Sequence, residues 1–168
     1  MAEQDDPGKA LAAAREVARR LNDSLDELRA VLPVTGTGLA YMPEKFRTEA
    51  DALLHRFRTL HGLLAGRVLP AAMGRAGLEA RGKTTRELAG LLAGMRLVPD
   101  AEAFDHLTRL RDRLRDAFPV DPAEEAELLN AAARAVPHLT ALLAGLETAA
   151  GSPGTDDGGT DGATTRAP

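Results

Sequence analysis

Cysteine and tryptophan are absent from this chain, and aromatic residues make up only 3% of it. Without cysteine neither a disulfide nor a thiolate-ligated metal site can form, and a cytoplasmic location fits that absence. The few aromatic rings are scattered, which argues against stacking on the bases of a single-stranded nucleic acid. Positive charge is short as well, since the net charge is −4. A protein that coats nucleic acid electrostatically needs a surplus of basic residues.

Long apolar runs and recognisable catalytic motifs are also missing. No stretch approaches the ~20 apolar residues of a membrane-spanning helix, and the acidic start is unlike a signal peptide. Serine occurs only at Ser24 and Ser152, neither of them in the motif of a serine nucleophile. The histidines, which lack the spacing of metalloprotease ligands, are His55, His61, His106 and His138. We therefore predict a soluble protein with no membrane segment, no metal and no cofactor.

The residues that are abundant predict helices. Alanine, leucine, arginine and glutamate dominate, and all four favour a helical backbone. Apolar residues recur every three or four positions, and no segment alternates strongly enough to be a strand. The predicted helices run over about residues 8–32, from Glu44 into the seventies, from a cap at Thr84 or Thr85 to Met95, from a cap at Asp100 to Pro119, and from a cap at Asp121 to Leu146. At 168 residues the chain is long enough for one domain, which we predict to be all-α.

Prolines and glycines punctuate this pattern. Pro33 is expected to close the first helix, and the glycine-containing segment 34–43 to be a connection. Pro70 is expected to kink or end the second helix, and Pro137 to kink the last one, because proline removes a backbone donor and clashes with the preceding turn.

Composition also predicts where the folded part begins and ends. Residues 1–7 are predicted to be a flexible leader and residues 8–147 the helical domain. Residues 148–168 contain no large apolar side chain, so burial cannot offset the entropy lost on ordering them. We predict that they form a disordered tail.

One segment satisfies a nucleotide-binding pattern. Gly77-Leu-Glu-Ala-Arg-Gly-Lys-Thr84 matches G-x-x-x-x-G-K-[ST], in which Gly77, Gly82, Lys83 and Thr84 would hold phosphates. That chemistry needs a buried strand before the loop and a helix after it. The helix is predicted, but the segment follows an amphipathic helix instead of a strand. We therefore favour a glycine-rich connection between helices and keep nucleotide binding as the alternative.

The densest run of arginine lies in residues 107–119, and one of these arginines interrupts an apolar stripe. At about 100° per residue, Arg111 projects from the middle of the apolar side of its helix. The apolar residues of that side are Phe104, Leu107, Leu110, Leu114 and Phe118. Arginine is always charged, so Arg111 must either reach the rim of a helix interface, beside a carboxylate of a neighbouring helix, or meet a phosphate or carboxylate in a groove.

The other arginines of this run have a simpler interpretation. Arg109, Arg113 and Arg115 lie three or four positions from Asp112 or Asp116. Such spacings place opposite charges side by side on one helix. We therefore predict a solvated face of ion pairs.

Taken in order, these segments resemble the HepT-like family, the helical partners of minimal nucleotidyltransferases, also described as nucleotidyltransferase substrate-binding proteins. The resemblance runs from about Leu21 to Leu146. The matching segments are Asp51-Ala-Leu-Leu-His-Arg-Phe-Arg-Thr-Leu60, Gly66-Arg-Val-Leu-Pro-Ala71, Glu87-Leu-Ala-Gly-Leu-Leu-Ala-Gly-Met-Arg-Leu-Val98 and Arg109-Leu-Arg-Asp-Arg-Leu-Arg-Asp-Ala-Phe-Pro119. The resemblance implies an up-and-down bundle, here of four to five helices, that forms a homodimer.

The resemblance also implies a catalytic motif. Toxin members of the family are ribonucleases with the motif Arg-x4-His-x-Tyr at a cleft between subunits, and the partner nucleotidyltransferase can silence them by transferring AMP to the tyrosine. On this chain the arginine is Arg111, the histidine position is Asp116 and the tyrosine position is Phe118. An ordinary aspartate does not titrate near neutral pH as histidine does, and phenylalanine has no hydroxyl to accept AMP.

We therefore predict a HepT-like protein of a toxin–antitoxin pair that has lost its ribonuclease activity and acts by binding its partner. One alternative is an active ribonuclease in which Arg111 and Arg115 hold phosphate and a carboxylate with a raised pKa is the base. The other is a helical adaptor unrelated to toxin–antitoxin systems. RNA binding is possible but is not expected.

Overall fold

The structure is a computed structural model that describes residues 7–96, 101–116 and 121–151, and all regular structure in these ranges is helical. The α-helices are α1 (Pro7–Leu28), α2 (Gly36–Ala40), α3 (Glu44–Leu63), α4 (Leu69–Arg75), α5 (Thr85–Gly94), α6 (Ala101–Asp116) and α7 (Pro122–Gly151). A π-helical turn, Leu64–Val68, joins α3 to α4. The prediction of an all-α fold is confirmed.

Contacts between side chains show how the long helices are arranged. Arg15 in the first half of α1 is paired with Glu147 near the end of α7, at 2.5 Å between Nε and Oε1. Ser24 late in α1 is bonded to Glu49 early in α3. Arg20, one turn before Ser24, accepts a hydrogen bond from Arg56 later in α3, and Val34, beyond the end of α1, is bonded to Asn130 early in α7. Earlier positions along α1 therefore meet later positions of α3 and α7, so α1 runs antiparallel to both. The bundle is therefore up-and-down, as expected.

Helix α7 is the centre of this bundle. It packs against α1, α2, α3, α4 and α6. Its predicted inward residues from Ala126 to Leu146 are buried or partly buried, and Leu128, Ala135 and Leu142 are buried in addition. These three were not predicted, because periodicity assumes one buried face whereas α7 has neighbours on several sides.

A polar cluster lies inside the contact between α1 and α3. Ser24 is fully buried; its hydroxyl donates to Glu49 Oε1 at 2.5 Å and accepts a hydrogen bond from Arg56 Nη1. The same Arg56 nitrogen lies 2.8 Å from Glu49 Oε1. Because each group has a partner, the cluster can be buried without leaving an unpaired charge, and it fixes where α1 lies along α3.

The predicted end of the first helix is wrong by several residues. Helix α1 ends at Leu28, and the backbone N–H groups of Val31 and Leu32 both donate to the Leu28 carbonyl at 3.0 Å to form a turn. The residue before a proline avoids the helical conformation, so the turn comes ahead of Pro33. Pro33 follows the turn and does not itself end the helix.

The segment 34–43 is not only a connection, because it contains α2. Thr35 caps this short helix, its Oγ1 accepting a hydrogen bond from Gly38 N at 3.0 Å. Gly36 lies so close to α7 that a Cβ at this position would be 2.8 Å from the backbone of Ala123. The glycine that looked like a loop residue is therefore needed for close helix packing.

The two prolines within the helices have different surroundings. Before Pro70 the α-helix changes to the π turn, and Pro70 then lies in the first turn of α4, where a missing N–H is tolerated. Pro137 lies inside α7, which continues as one helix to Gly151. The interruption expected at Pro70 is therefore a change of helix type, and α7 is not ended at Pro137.

Two residues predicted to be buried on α5 are exposed. Leu88 and Leu92 are buried, but Leu91 is 37% exposed and Met95 is 42% exposed. Within the described residues α5 packs mainly against α6 and, less extensively, against α4. A helix at the edge of a bundle buries a narrow stripe, and Leu91 and Met95 fall beside it.

The predicted limits of the folded part are also shifted. Pro7, assigned to the leader, is the first residue of α1, and residues 148–151, assigned to the tail, belong to α7. The remaining leader and tail residues, the predicted turn at 97–100 with its cap Asp100, and Phe118 lie outside the described residues. None of the described helices is long and apolar enough to cross a membrane.

Candidate functional site

Helix α6, which carries Arg111, packs against α3, α5 and α7. The apolar residues predicted for its inner side are buried where they are described, and these are Phe104, Leu107, Leu110 and Leu114. Leu107 and Leu114 are covered by their own chain, so this stripe is already packed within one subunit. The homodimer stays a prediction. Because this stripe is covered within one subunit, the dimer contact would need surface beyond it.

Arg111 lies at the rim of the interface between α6 and the rest of the bundle. Its side chain is 29% exposed, and Nη1 lies 3.1 Å from Oδ1 of Asp112. Its Nε is buried and has no hydrogen-bond partner. The partial exposure of Arg111 fits the rim, which is one of the two positions considered for it, but the carboxylate beside it belongs to the next residue of the same helix and not to a neighbouring helix.

A histidine of α3 faces this part of α6. His61 is fully buried, and its Nε2 lies 3.1 Å from Oγ1 of Thr108. The Thr108 hydroxyl donates its one hydrogen to the Phe104 carbonyl at 3.0 Å, so it accepts from the His61 Nε2–H. That arrangement leaves the lone pair of His61 Nδ1 buried and without a partner.

Burial and charge keep the His61 imidazole neutral. Burial, and after it the nearby positive charge of Arg111, lowers the pKa of His61 to about 4, while Asp112 acts in the opposite direction. A neutral imidazole in contact with the Phe104 ring, at 5.6 Å between ring centroids, is a packing group as much as a polar one. Because the side chain is fully covered, it cannot exchange a proton directly with a bound substrate.

The sequence did contain a signal for His61. It lies one position after Leu60 and four after Phe57, both buried on the inner face of α3. A histidine on that face had to be buried, but nothing in the local pattern indicates that its neighbour is Arg111. That pairing depends on how α3 and α6 pack, and the two residues are far apart in the chain.

Asp116, at the histidine position of the family motif, is an exposed carboxylate bonded to Arg115. Arg115 Nε lies 2.8 Å from Asp116 Oδ1, and Nη2 lies 3.2 Å from Oδ2. This hydrogen bonding from Arg115 lowers the pKa of Asp116. Arg115 also lies 3.6 Å from Asp112, so its guanidinium already has two anionic neighbours. The remaining motif position, Phe118, is outside the described residues.

The predicted ion pairs of the other arginines are found in part. Arg109 is paired at 3.2 Å with Asp105, which lies four residues before it in the helix, and not with Asp112, which lies three residues after it. Arg113 is exposed and forms no ion pair with any residue in the described ranges. The solvated charged face of α6 is therefore real, although its pairing differs from the predicted one.

The segment that matches the nucleotide-binding pattern joins two helices. The segment starts at Gly77, whose φ of 70° allows the chain to leave α4. The backbone N–H of Gly77 donates to the Gly74 carbonyl, and that of Leu78 donates to the Met73 carbonyl. These two bonds are the usual glycine-terminated end of a helix. Within the described residues no strand precedes it, so Gly77 ends a helix.

The other end of this segment, which in the pattern would face phosphate, already has an anion. Thr84 caps α5, and its backbone N–H donates to Oε2 of Glu87 at 2.7 Å while its Oγ1 accepts from Glu87 N at 3.3 Å. Hydrogen bonds from Thr84 lower the pKa of Glu87. A carboxylate therefore occupies the start of α5, next to Lys83. Gly82 has a φ of 77°, a left-handed conformation that is typical of a turn. This geometry favours a helix connection at these four residues.

A second group of polar residues lines a groove between α6 and α7. The groove has a volume of ≈ 310 Å³ and is lined in part by His106, His138, Glu102 and Arg109. Two of the four histidines thus lie in one groove, which their spacing in the sequence did not indicate. Among the described residues no three histidine, aspartate or glutamate side chains are placed to hold a metal ion.

Comparison of this chain with models of protein families, with curated proteins and with solved structures finds no match. The likeness to the HepT-like family is therefore a resemblance of residues and of their order along the chain. The contacts around Arg111 bear on function independently of that resemblance.

Proposed function

We propose that this chain is a non-catalytic binding protein: a HepT-like member of a toxin–antitoxin pair that has lost ribonuclease activity and acts by binding a minimal nucleotidyltransferase in the cytoplasm. The observation that carries the loss of activity is the pair formed by Asp116 and Arg115. At the motif's histidine position there is a carboxylate held by two nitrogens of Arg115. The partner and the setting are supported by the resemblance of the residues.

The chemistry of Asp116 supports this proposal. Cleavage of RNA at a ribose 2′-hydroxyl requires a group that takes up and releases a proton near neutral pH. The Arg115 guanidinium lowers the pKa of Asp116, so the carboxyl group stays ionised and cannot act as a general acid. Its negative charge also opposes the approach of a phosphate to Arg111.

His61 does not replace the missing base. It is close enough to Arg111 for that guanidinium to lower its pKa, but it is fully buried and hydrogen-bonded to Thr108. A substrate would have to separate α3 from α6 to reach it. The imidazole therefore belongs to the packing of the bundle.

The alternative of an active ribonuclease has little structural support. It requires a carboxylate with a raised pKa, but the resolved shifts of carboxyl groups in the described ranges, at Glu16, Glu87 and Asp116, are all downward. It also requires a free Arg115, which is engaged by Asp112 and Asp116.

The loss of activity can be tested on end-labelled RNA. We expect the wild type to leave it intact at protein concentrations where a HepT-like protein with Arg-x4-His-x-Tyr cleaves it. A matched variant carries Asp116→His together with Phe118→Tyr, which restores the motif around Arg111. Cleavage by the wild type that disappears in Arg111→Ala would refute the proposal.

The partner can be tested by co-expression with a minimal nucleotidyltransferase encoded beside this chain. We expect a complex that survives size-exclusion chromatography, and no adenylyl group at Phe118 in the mass of its peptide, because that side chain has no hydroxyl. If no such neighbour binds, a helical adaptor becomes the better interpretation. Sedimentation of the free chain tests the homodimer, since a monomer mass at all concentrations contradicts it.

A further inference from the structure

A groove that contains no residue of α6 has no role in the proposed function. It has a volume of ≈ 360 Å³ and lies between the end of α1, the turn that follows it and the middle of α7. Leu25, Leu32, Pro33 and Ala133 form its apolar lining. Leu25, Leu32 and Ala133 are only partly buried, so apolar surface is open to a ligand here.

The floor of this groove is held in a fixed shape. Asn130 of α7 accepts a hydrogen bond from Val34 N at 2.9 Å through Oδ1 and donates to Val34 O at 2.7 Å through Nδ2. These two bonds hold the segment after Pro33 against α7. A groove that exists before a ligand arrives does not require ordering of the chain when the ligand binds.

The charged residues of the groove are all positive. Arg134 extends from α7 and makes no ion pair or hydrogen bond with any residue of the described ranges. Arg29, on the α1 side, is paired at 2.9 Å with Asp26, which is not part of the lining. No aspartate or glutamate lines the groove, although the whole chain has 25 acidic residues against 21 basic ones.

We propose that this groove binds a small amphipathic carboxylic acid. The apolar part of the ligand packs on Leu25, Leu32 and Ala133, and its carboxylate is held by the guanidinium of Arg134. Arg29 adds a second positive charge on the facing side. A guanidinium binds a carboxylate through two parallel hydrogen bonds, and a volume of this size is within the range of small-molecule sites.

The proposal does not depend on a nucleotidyltransferase partner or on Arg111. A peptide would find few further contacts here, because the lining offers two guanidinium groups and an amide already engaged with Val34. A neutral apolar ligand would leave Arg134 without a partner. A small acid uses both the apolar lining and the free positive charge.

The test uses 4-phenylbutyrate as the probe and the full isotopically labelled chain. We expect saturable NMR shifts of the Asn130 side-chain amide and the Ala133 methyl group, with a dissociation constant on the order of 1 mM. The alcohol 4-phenylbutanol has the same apolar part without the charge, and it should bind about tenfold more weakly. Equal binding of acid and alcohol would overturn the proposal.

Variants locate the site. Arg134→Gln should weaken 4-phenylbutyrate binding about tenfold, whereas Arg113→Gln, which removes another exposed arginine without an ion pair in the described ranges, should leave it unchanged. Ala133→Leu should fill the groove and abolish binding of both probes. Unchanged binding by Arg134→Gln, or the absence of saturable shifts at Asn130 and Ala133 in the wild type, would refute a carboxylate site in this groove.

Discussion

Acid should destabilise this protein through the imidazole of His61. The pKa of this group is lowered from 6.5 to about 4 in the folded chain, mainly by burial and then by the charge of Arg111. As pH falls through 6.5, the unfolded chain takes up a proton at His61 before the folded chain does. The stabilising contribution is therefore complete above pH 6.5 and is lost progressively as the pH falls to about 4.

The size of the effect follows from the difference between the two pKa values of His61. The difference between 6.5 and about 4 is 2.5 units, and each unit corresponds to about 1.4 kcal/mol, which gives a total of about 3 kcal/mol. About 2 kcal/mol of this is lost already at pH 5. A domain of this size is usually stable by roughly 5 to 15 kcal/mol, so the loss is large enough to measure by denaturation.

The assay is urea unfolding at pH 7 and pH 5 for the wild type and two variants. His61→Phe keeps a ring beside Phe104 but cannot bind a proton, and it also loses the hydrogen bond to Thr108. Its stability at each pH will differ from that of the wild type, so the measured quantity is the change between the two pH values. We expect the wild type to lose about 2 kcal/mol more than His61→Phe. His55→Phe, which changes an exposed histidine of the same helix, should follow the wild type.

The result that would refute this reasoning is a parallel loss of stability in the wild type and His61→Phe. The other acidic and basic groups are the same in both chains, so their titration cancels in the comparison. Parallel curves would mean that His61 binds its proton equally in the folded and unfolded chains. The buried arrangement with Thr108 would then be wrong.

Three further predictions concern packing and charge. Arg111→Met keeps the aliphatic stem and removes the charge, so the pKa of His61 measured by NMR should rise, and an unchanged value would show that the guanidinium does not act on it. Ser24→Ala removes the hydroxyl that bonds both Glu49 and Arg56, which then keep only each other inside the cluster. It should cost about 1 to 2 kcal/mol in urea unfolding, whereas a neutral change would show that the hydroxyl is not stabilising. Gly36→Ala should lower the free energy of unfolding by about 1 to 3 kcal/mol, because its Cβ would meet α7. Gly62→Ala, with open space around the position, should raise it by about 0.5 to 1 kcal/mol. Equal effects of the two substitutions would contradict this packing.

Much of the fold could be predicted from periodicity because the long helices each bury a recognisable face. Four of the predicted segments correspond to α3 with α4, α5, α6 and α7, and the first to α1. The errors occur where neighbours decide burial. Leu91 and Met95 have the right spacing for a buried stripe, but the helix that carries them lies at the edge of the bundle. The short α2 was missed because its glycines are also typical of a loop.

The candidate site could be predicted only as far as α6 extends. Arg111 was found because a charge in an apolar stripe is a local signal, and its position at the rim follows from the length of its side chain. His61 could not be assigned to the same place, because its proximity to Arg111 depends on the packing of α3 on α6. The engagement of Arg115 by Asp116 was also missed, since neighbouring residues on a helix do not usually face each other.

The π turn at 64–68 determines which way α4 faces. If α3 continued as an unbroken α-helix, at 100° per residue, Leu69, Ala72 and Met73 would be rotated away from the side on which Phe57 and Leu60 are buried. The wider π turn accommodates about one additional residue, which rotates α4 back by about 100° and brings all three side chains into the core. The turn therefore sets the rotation of α4 about its own axis relative to α3. Removing one residue from it would expose the buried side of α4 while leaving every other residue of the sequence unchanged.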